Sequence, residues 1–366
     1  MSEILRLYIH IPFCKSKCAY CDFFSGKADE KAYDNYVTQL KDKIEYWSNR
    51  TDKSLSSVYF GGGTPSVLGD KRLCEVLGFI KNNFSVDENA EITVEVNPES
   101  GKNLDFNMLY NCGFNRISVG MQSSDSKELK LLGRIHSTED VTETITNAKN
   151  AGISNISLDL MLGIPCQNEQ SLKSSIDFCA ELGVTHISSY ILKIEEGTPF
   201  YINRDKYDFA DEDRQAELYL FAACYLDRLG YKQYEISNFA KPGYESKHNT
   251  GYWQLDEYIG IGPSAHSFFE GKRFYYERDM QSFTDNKITA DGSGGDEEEF
   301  IMLSLRLAKG LDFDEYKRLF GIEIPESLIK TADKYIKAGL MKRNGNRIFF
   351  TPRGFLVSNA ILSELI

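Results

Sequence analysis

The chain reads as an α/β protein: a partial, TIM-like (β/α)6 barrel followed by a small C-terminal domain of helical, winged-helix-like type. Three observations predict this. Short apolar runs of strand length alternate with amphipathic stretches of helix length over residues 7–229, the pattern of parallel strands joined by crossover helices. Three cysteines, Cys14, Cys18 and Cys21, crowd the loop that leaves the first apolar run. A composition change at residues 291–299, glycine-rich and then acidic, separates this alternating part from a tail that lacks it.

Residues 7–13, Leu-Tyr-Ile-His-Ile-Pro-Phe, read as a buried strand. Residues 29–49 put Tyr33, Val37, Leu40, Ile44 and Trp47 at helical spacing. A strand at 57–60 leads into Gly61-Gly-Gly-Thr-Pro-Ser66 and a helix carrying Leu68, Leu73, Val76, Leu77 and Ile80. Strand 91–96, helix 104–111 and strand 115–120 follow. A helix at 138–150 stops at Ala151-Gly152, a C-terminal cap signal. Strand 153–162, helix 171–181, strand 184–192 and a long helix at 211–229 bring the count to about six β/α units. In such barrels the chemistry sits at the C-terminal ends of the strands, where the cysteine loop, the glycine loop and Glu95 fall. Residues 1–230 are thus expected to form the barrel, 231–290 a linking segment that closes it, and 291–366 the C-terminal domain. In that domain short helices at 300–308, 313–320 and 325–338 precede a hairpin at 341–351 and a last helix at 352–365. The stretch 291–299 reads as a hinge or exposed turn.

Composition excludes several function classes. The 366 residues are 42% hydrophobic and 26% charged, ordinary for a soluble globular chain. A net charge of −12 argues against a nucleic-acid partner, even with a winged-helix-like tail. No apolar stretch is long enough to span a bilayer, and residues 1–6 lack the layout of a signal peptide, so a cytoplasmic location is expected. Cys74, Cys112, Cys166, Cys179 and Cys224 show no framework spacing and are expected to be buried free thiols.

Thiolates on one short loop can converge on a single inorganic centre. A structural zinc site is closed by four ligands. A 4Fe–4S cluster is usually held by four cysteines, so three would leave one iron open to a non-protein ligand. A zinc knuckle with a distant fourth ligand and three unrelated buried thiols are the other readings. Glycines at 61–63 let backbone N–H groups approach a ligand, and a helix opening behind them favours a carboxylate; a tight turn explains them equally well. Asp159 is a charge inside an apolar strand, costly to bury without a partner.

Cys-x3-Cys-x2-Cys after a first strand, within Tyr8-Ile-His-Ile-Pro-Phe-Cys14 and Tyr20-Cys21-Asp-Phe23, resembles the radical S-adenosylmethionine (SAM) superfamily. It is most similar to the branch that holds the oxygen-independent coproporphyrinogen III oxidases and the heme chaperones. The likeness continues over most of the chain. It implies that Cys14, Cys18 and Cys21 hold a 4Fe–4S cluster whose open iron chelates SAM, and that an electron donor serves the cluster. It also implies the barrel architecture already read from the alternation. By the same resemblance Gly62, Gly63 and Thr64 contact the methionine end of SAM, and Glu95 accepts from its ammonium or ribose. Gln122, Arg134 and Asp159 would surround bound SAM, which in the oxidases includes a second molecule. Arg134 would act as a carboxylate fork. Tyr8 and Tyr20 would pack on the cluster or adenosyl group, or belong to the core.

His248-Asn249-Thr-Gly-Tyr252-Trp253 resembles the His-Asn-x-x-Tyr-Trp motif of the heme chaperone branch. It would place an imidazole for heme iron, with aromatic surface, at the pocket mouth. A capping loop with a hydrogen-bonded histidine is the alternative. Gly260-Ile-Gly-Pro-Ser-Ala-His266 also fits the branch. His10 reads as a core or supporting residue, and His136 and His186 as structural. The expected function is that of a heme chaperone: heme bound and delivered to a client hemoprotein such as a respiratory cytochrome. The alternative is an oxygen-independent coproporphyrinogen III oxidase. Against it stand Phe23, where the oxidase pattern carries a further cysteine, the first strand near the start of this chain, where the oxidase has an extension, and the motif at 248–253. Whether the chain catalyses a reaction is left open by the resemblance. Peripheral membrane contact through a respiratory client, and a homodimer, are compatible with it.

Overall fold

The computed structural model describes residues 4–366. The reading of residues 1–6 falls partly on 1–3, outside the described residues. Six strands lie side by side and parallel: β1 (Ile4–Ile11), β2 (Ser54–Gly62), β3 (Val86–Val96), β4 (Arg116–Gln122), β5 (Asn155–Leu162) and β6 (His186–Ile191). Helices Glu30–Ser48, Asp70–Asn83, Phe106–Cys112, Thr138–Asn150 and Glu169–Glu181 make the crossovers. Their starts are local chemistry: Asp29 accepts from Ala32 N at 2.8 Å, and Ser137 and Asp140 form a reciprocal capping box. Covered on both faces, β4 is buried at every position.

Residues 231–290 are more than a linker. They add β7 (Lys232–Gln233) and β8 (Asn238–Ala240) antiparallel beyond β6. They also add β9 (Tyr258–Ile261), parallel to β1, with β10 (His266–Phe269), β11 (Lys272–Tyr276) and β12 (Ile288–Ser293) running antiparallel outward. The sheet therefore has twelve strands and runs from β12 to β7 without closing, a partial barrel. Helix Lys247–Trp253 lies under the N-terminal ends of β2 and β3.

The stretch 291–299 is not a hinge. Residues 291–293 finish β12, with Ser293 opposite Lys272, and Asp296 caps the helix Glu297–Ser304 through Glu299 N at 2.9 Å. Its glycines make the tight turn between the two; Gly295 has φ +84°. Helices Phe313–Phe320 and Glu326–Lys337 follow. Their small sheet joins β13 (Leu311–Asp312) and the hairpin β14 (Met341–Asn344) and β15 (Arg347–Phe350) in the order β13-β15-β14. The last expected helix is two, Pro352–Leu356 and Ser358–Leu365.

The expectation of five buried free thiols is corrected. Cys74 and Cys112 form a disulfide between neighbouring helices, Cα atoms 5.8 Å apart, Cys166 and Cys224 are exposed, and of these five Cys179 is the buried free thiol. Spacing along the chain carries no sign of this, because helices Asp70–Asn83 and Phe106–Cys112 are brought side by side only by the pairing of the strands between them. Closing a loop of 38 residues contributes about 4 kcal/mol. Cys112→Ser should lose that much stability in urea without reductant and nothing with reductant. Equal midpoints in the absence of reductant would remove the cross-link.

Candidate functional site

A cavity of about 600 Å3 runs from the cysteine loop down to helix Lys247–Trp253, and the cluster, SAM and heme-ligand candidates named from the sequence line it, whereas Trp253 does not. At its mouth the cysteine loop is pinned by Cys14 N→Gly26 O and Gly26 N→Pro12 O, both 3.0 Å, and by Ala19 N→Leu132 O at 3.0 Å. Cys14, Cys18 and Cys21 are free thiols. Cys14 Sγ lies 3.0 Å from Thr64 Oγ1, and Arg134 Nη1 lies 3.5 Å from Cys18 Sγ. Behind them Asn97 donates to Thr64 Oγ1 at 3.0 Å and accepts from Arg134 Nη2 at 2.9 Å. Among the described residues no three His, Cys, Asp or Glu side chains converge as they would around a single ion. A four-iron cluster takes each thiolate at a separate iron, and hydrogen-bond donors aimed at sulfur suit such ligands. Three free thiols with Thr64 and Arg134 against two of them fit that group.

Arg134 is less free than the fork expected of it. It donates to Asn97 Oδ1, to Gly120 O and to Cys18 Sγ. Burial works against its charge, but Tyr20, Cys18 and Glu99 beside it raise its pKa above the ordinary arginine value. Asn97 was missed in the sequence; its only signal is its place between a strand and Pro98.

Gly62 and Gly63 follow from packing before any ligand is considered. Gly62 has φ +107°, and a Cβ there would lie 2.5 Å from the His10 ring; one on Gly63 would lie 2.6 Å from Phe13 O. The helix expected directly behind them is displaced. Pro65–Leu68 is a 3-10 turn, and the α-helix begins at Asp70. Glu95 accepts from Tyr59 OH at 2.8 Å and Gly62 N at 3.2 Å. Asp159 stands in the middle of β5 rather than at its end and accepts from Ser118 Oγ at 3.2 Å; burial pushes its carboxyl up. Gln122 ends β4 in a left-handed conformation, φ +68°. Tyr8 OH meets His10 Nδ1 at 3.1 Å, and His10 Nε2 meets Phe24 O at 3.0 Å. Burial lowers His10 to about 4, so it is a neutral brace between β1 and the cysteine loop. Tyr20 is kept protonated by burial.

Burial is also the chief reason that the Glu95 carboxyl rises to about 7 from an ordinary 4.5. A raised acid holds its proton in the folded state, so its contribution to stability is present below about pH 4.5 and is lost as pH rises through about 7. Glu95→Gln should flatten the stability curve across that window, measured by urea titration at several pH values. A parallel curve in the variant would show that Glu95 is not the group titrating.

The expected place of His248 is corrected. It lies at the floor, under the N-terminal ends of the strands, opposite the cysteines. Its side chain is buried, with Nδ1 2.9 Å from Ser57 Oγ and Nε2 2.7 Å from Tyr252 OH, and burial holds it neutral. Both ring nitrogens are engaged, so it presents no free lone pair to iron. The cause is Glu91, which accepts from Ser246 Oγ at 3.2 Å, Lys247 N at 3.1 Å and His248 N at 3.0 Å. A carboxylate satisfying the open N–H groups of a helix start fixes that helix on the sheet. Glu91, Tyr59 and Arg116 were missed. Glu91 and Arg116 carry the same signal that marked Asp159, a charge in an apolar strand. His186 and His136 are structural as expected. His186 bonds Ser157 Oγ at 2.7 Å and Tyr234 OH at 2.8 Å, and His136 bonds Met121 O at 3.1 Å. Glu91→Ala would strand these N–H groups and leave Arg116 without its ion pair, a loss of about 3 kcal/mol or more in chemical denaturation. A change under about 1 kcal/mol would mean that water replaces the carboxylate without cost.

An open parallel barrel that gathers three thiols of one loop, a glycine turn and a buried carboxylate around one cavity defines a radical SAM protein. The Radical SAM superfamily signature matches residues 8–179, and that of the HemN C-terminal domain matches residues 297–357. The heme chaperone HemW of Mycobacterium tuberculosis is 31% identical, covering 98% of this chain and 94% of that protein. The heme chaperone HemW of Lactococcus lactis subsp. lactis is also 31% identical, covering 98% and 96%. The solved structure of coproporphyrinogen III oxidase (HemN) from Escherichia coli superposes with a TM-score of 0.84 at 21% identity, covering 99% of this chain and 89% of that one. The chain belongs to the HemW family of the radical SAM superfamily.

Proposed function

We propose that the protein is a heme chaperone that binds heme and hands it to a client hemoprotein. The observation that carries this is full-length likeness, at 31% identity, to proteins named heme chaperone HemW. Cys14, Cys18 and Cys21 would hold a 4Fe–4S cluster. Gly62, Gly63, Thr64, Glu95, Gln122 and Asp159 would surround SAM, with Arg134 and Asn97 behind the cluster. The chemistry that such a cluster would supply when bound is one electron to the sulfonium of SAM. The chain's own part is to orient and shield: Thr64 and Arg134 bond the sulfurs, and Glu95, with Tyr59 OH and Gly62 N as donors, offers a carboxylate to a cationic ligand.

Heme is not assigned to His248, whose imidazole does not fit an iron ligand as it stands. Exposed apolar side chains at the rim, Phe23 at 66% and Tyr190 at 44%, offer a surface to a flat apolar ring instead. Phe23 also occupies the position of the oxidase's further cysteine. The likeness in fold to coproporphyrinogen III oxidase does not by itself carry its reaction over. Among the described residues no helix is long and apolar enough to cross a membrane, so a membrane-bound client would be met from outside the bilayer.

Serine at positions 14, 18 and 21 together should abolish the brown chromophore and the iron after anaerobic reconstitution; iron retained at the wild-type level would sink the cluster assignment. The reconstituted protein should bind heme and give no protoporphyrinogen IX from coproporphyrinogen III with SAM and a reductant. His248→Ala should leave the Soret band in place. Repeated turnover of coproporphyrinogen III would replace the chaperone reading with the oxidase one, and a shifted Soret band would return His248 to the heme.

A further inference from the structure

The lower half of the cavity holds a charged group that the proposed SAM and cluster sites do not use. Arg116 opens β4 and is 2% exposed. Its guanidinium lines the cavity, and its Nε finds no acceptor among the described residues. Its ion-pair contact, to Glu91, is 3.9 Å long, beyond hydrogen-bond reach. Glu91 cannot come closer at no cost, because Ser246 Oγ, Lys247 N and His248 N already hold its two oxygens. Asp159 and Glu95, the acids of the cavity on the strands next to β4, have donors of their own in Ser118 Oγ, Tyr59 OH and Gly62 N. A second donor is unspent in the same cavity: Asn249 also lines it, and its buried Nδ2 has no partner among the described residues.

We propose that Arg116 and Asn249 form the floor of a binding site for a small organic carboxylate, separate from the SAM residues above. A guanidinium presents a planar fork of N–H donors, and a carboxylate is the acceptor that matches it with two parallel bonds. The Asn249 amide of the same cavity would supply a further donor to the anion. Size follows from depth. Arg116 and Gln122 are the two ends of β4, six steps of about 3.3 Å, so their backbone positions stand up to roughly 20 Å apart, with Arg116 at the end away from the mouth. The carboxylate arm of a large ring held at the mouth does not reach that far, which selects a free small acid. The site does not depend on the heme reading, and its test needs no heme.

The test is saturation-transfer NMR on the reconstituted full-length protein, with acetate as the probe and the methyl signal as readout. Transfer is expected in the wild type, reduced about tenfold or more in affinity by Arg116→Gln and weakened by Asn249→Ala. Arg116→Lys keeps the charge but not the fork, and should also weaken binding; it serves if Arg116→Gln fails to fold as judged by cooperative melting and the cluster chromophore. Inorganic phosphate and chloride at matched ionic strength should leave the acetate signal unchanged. Absence of transfer in the wild type would mean that water alone fills the floor and would overturn the proposal. Equal transfer in Arg116→Gln and Arg116→Lys, or full displacement by chloride, would overturn it as well.

Discussion

Buried charge is the constraint on which the interior depends. Glu91, Glu95, Arg116 and Asp159 stand on neighbouring strands inside the sheet, where aliphatic side chains would cost less. Each has to be answered by a group that the fold brings to it, and those answers shape the cavity. Glu91 takes the start of helix Lys247–Trp253 and so closes the floor. Glu95 takes Tyr59 OH and Gly62 N, which sets the glycine turn against β3. Asp159 takes Ser118 Oγ across two adjacent strands. Arg116 keeps its Nε without an acceptor among the described residues.

Parallel strands then separate two kinds of chemistry. At their C-terminal ends loops are free to carry thiols and glycines, and the network Thr64–Asn97–Arg134 stands behind the cysteine loop. At their N-terminal ends the chain returns as a helix whose opening N–H groups and His248 are consumed in closing the floor. The same histidine would be an open ligand on a mouth loop; on this helix its two nitrogens are occupied by Ser57 and Tyr252. Position along the barrel axis, more than residue type, decides what each polar group can do.

Much of this was legible in the sequence. Apolar runs with amphipathic intervals mark β1 to β6 because a crossover helix must bury one face on strands that are themselves covered twice. Cysteine spacing and the strand-end rule brought Cys14, Gly62 and Glu95 to one mouth. The strands β9 to β12 were not seen: at four to six residues, with aromatic and charged side chains mixed, they show no clear period of their own. Of the two readings of 291–299, the turn holds at Gly294-Gly295 and the hinge does not, because glycine and acidic residues suit a hinge as well as a strand end followed by a helix cap.

By itself, then, the sequence determined the α/β class, the order of the crossovers, the loop of three thiols and the family to which they belong, since all of these are written in local period and short motifs. Tertiary structure alone decided what distant segments do to one another. It paired Cys74 with Cys112, gave Asn97 the join between Thr64 and Arg134, and turned His248 from the expected mouth to the floor. The physical reason is the same in each case. A hydrogen bond or a cross-link depends on a separation of a few ångströms, and for residues dozens of positions apart only the packing of strands and helices sets that separation.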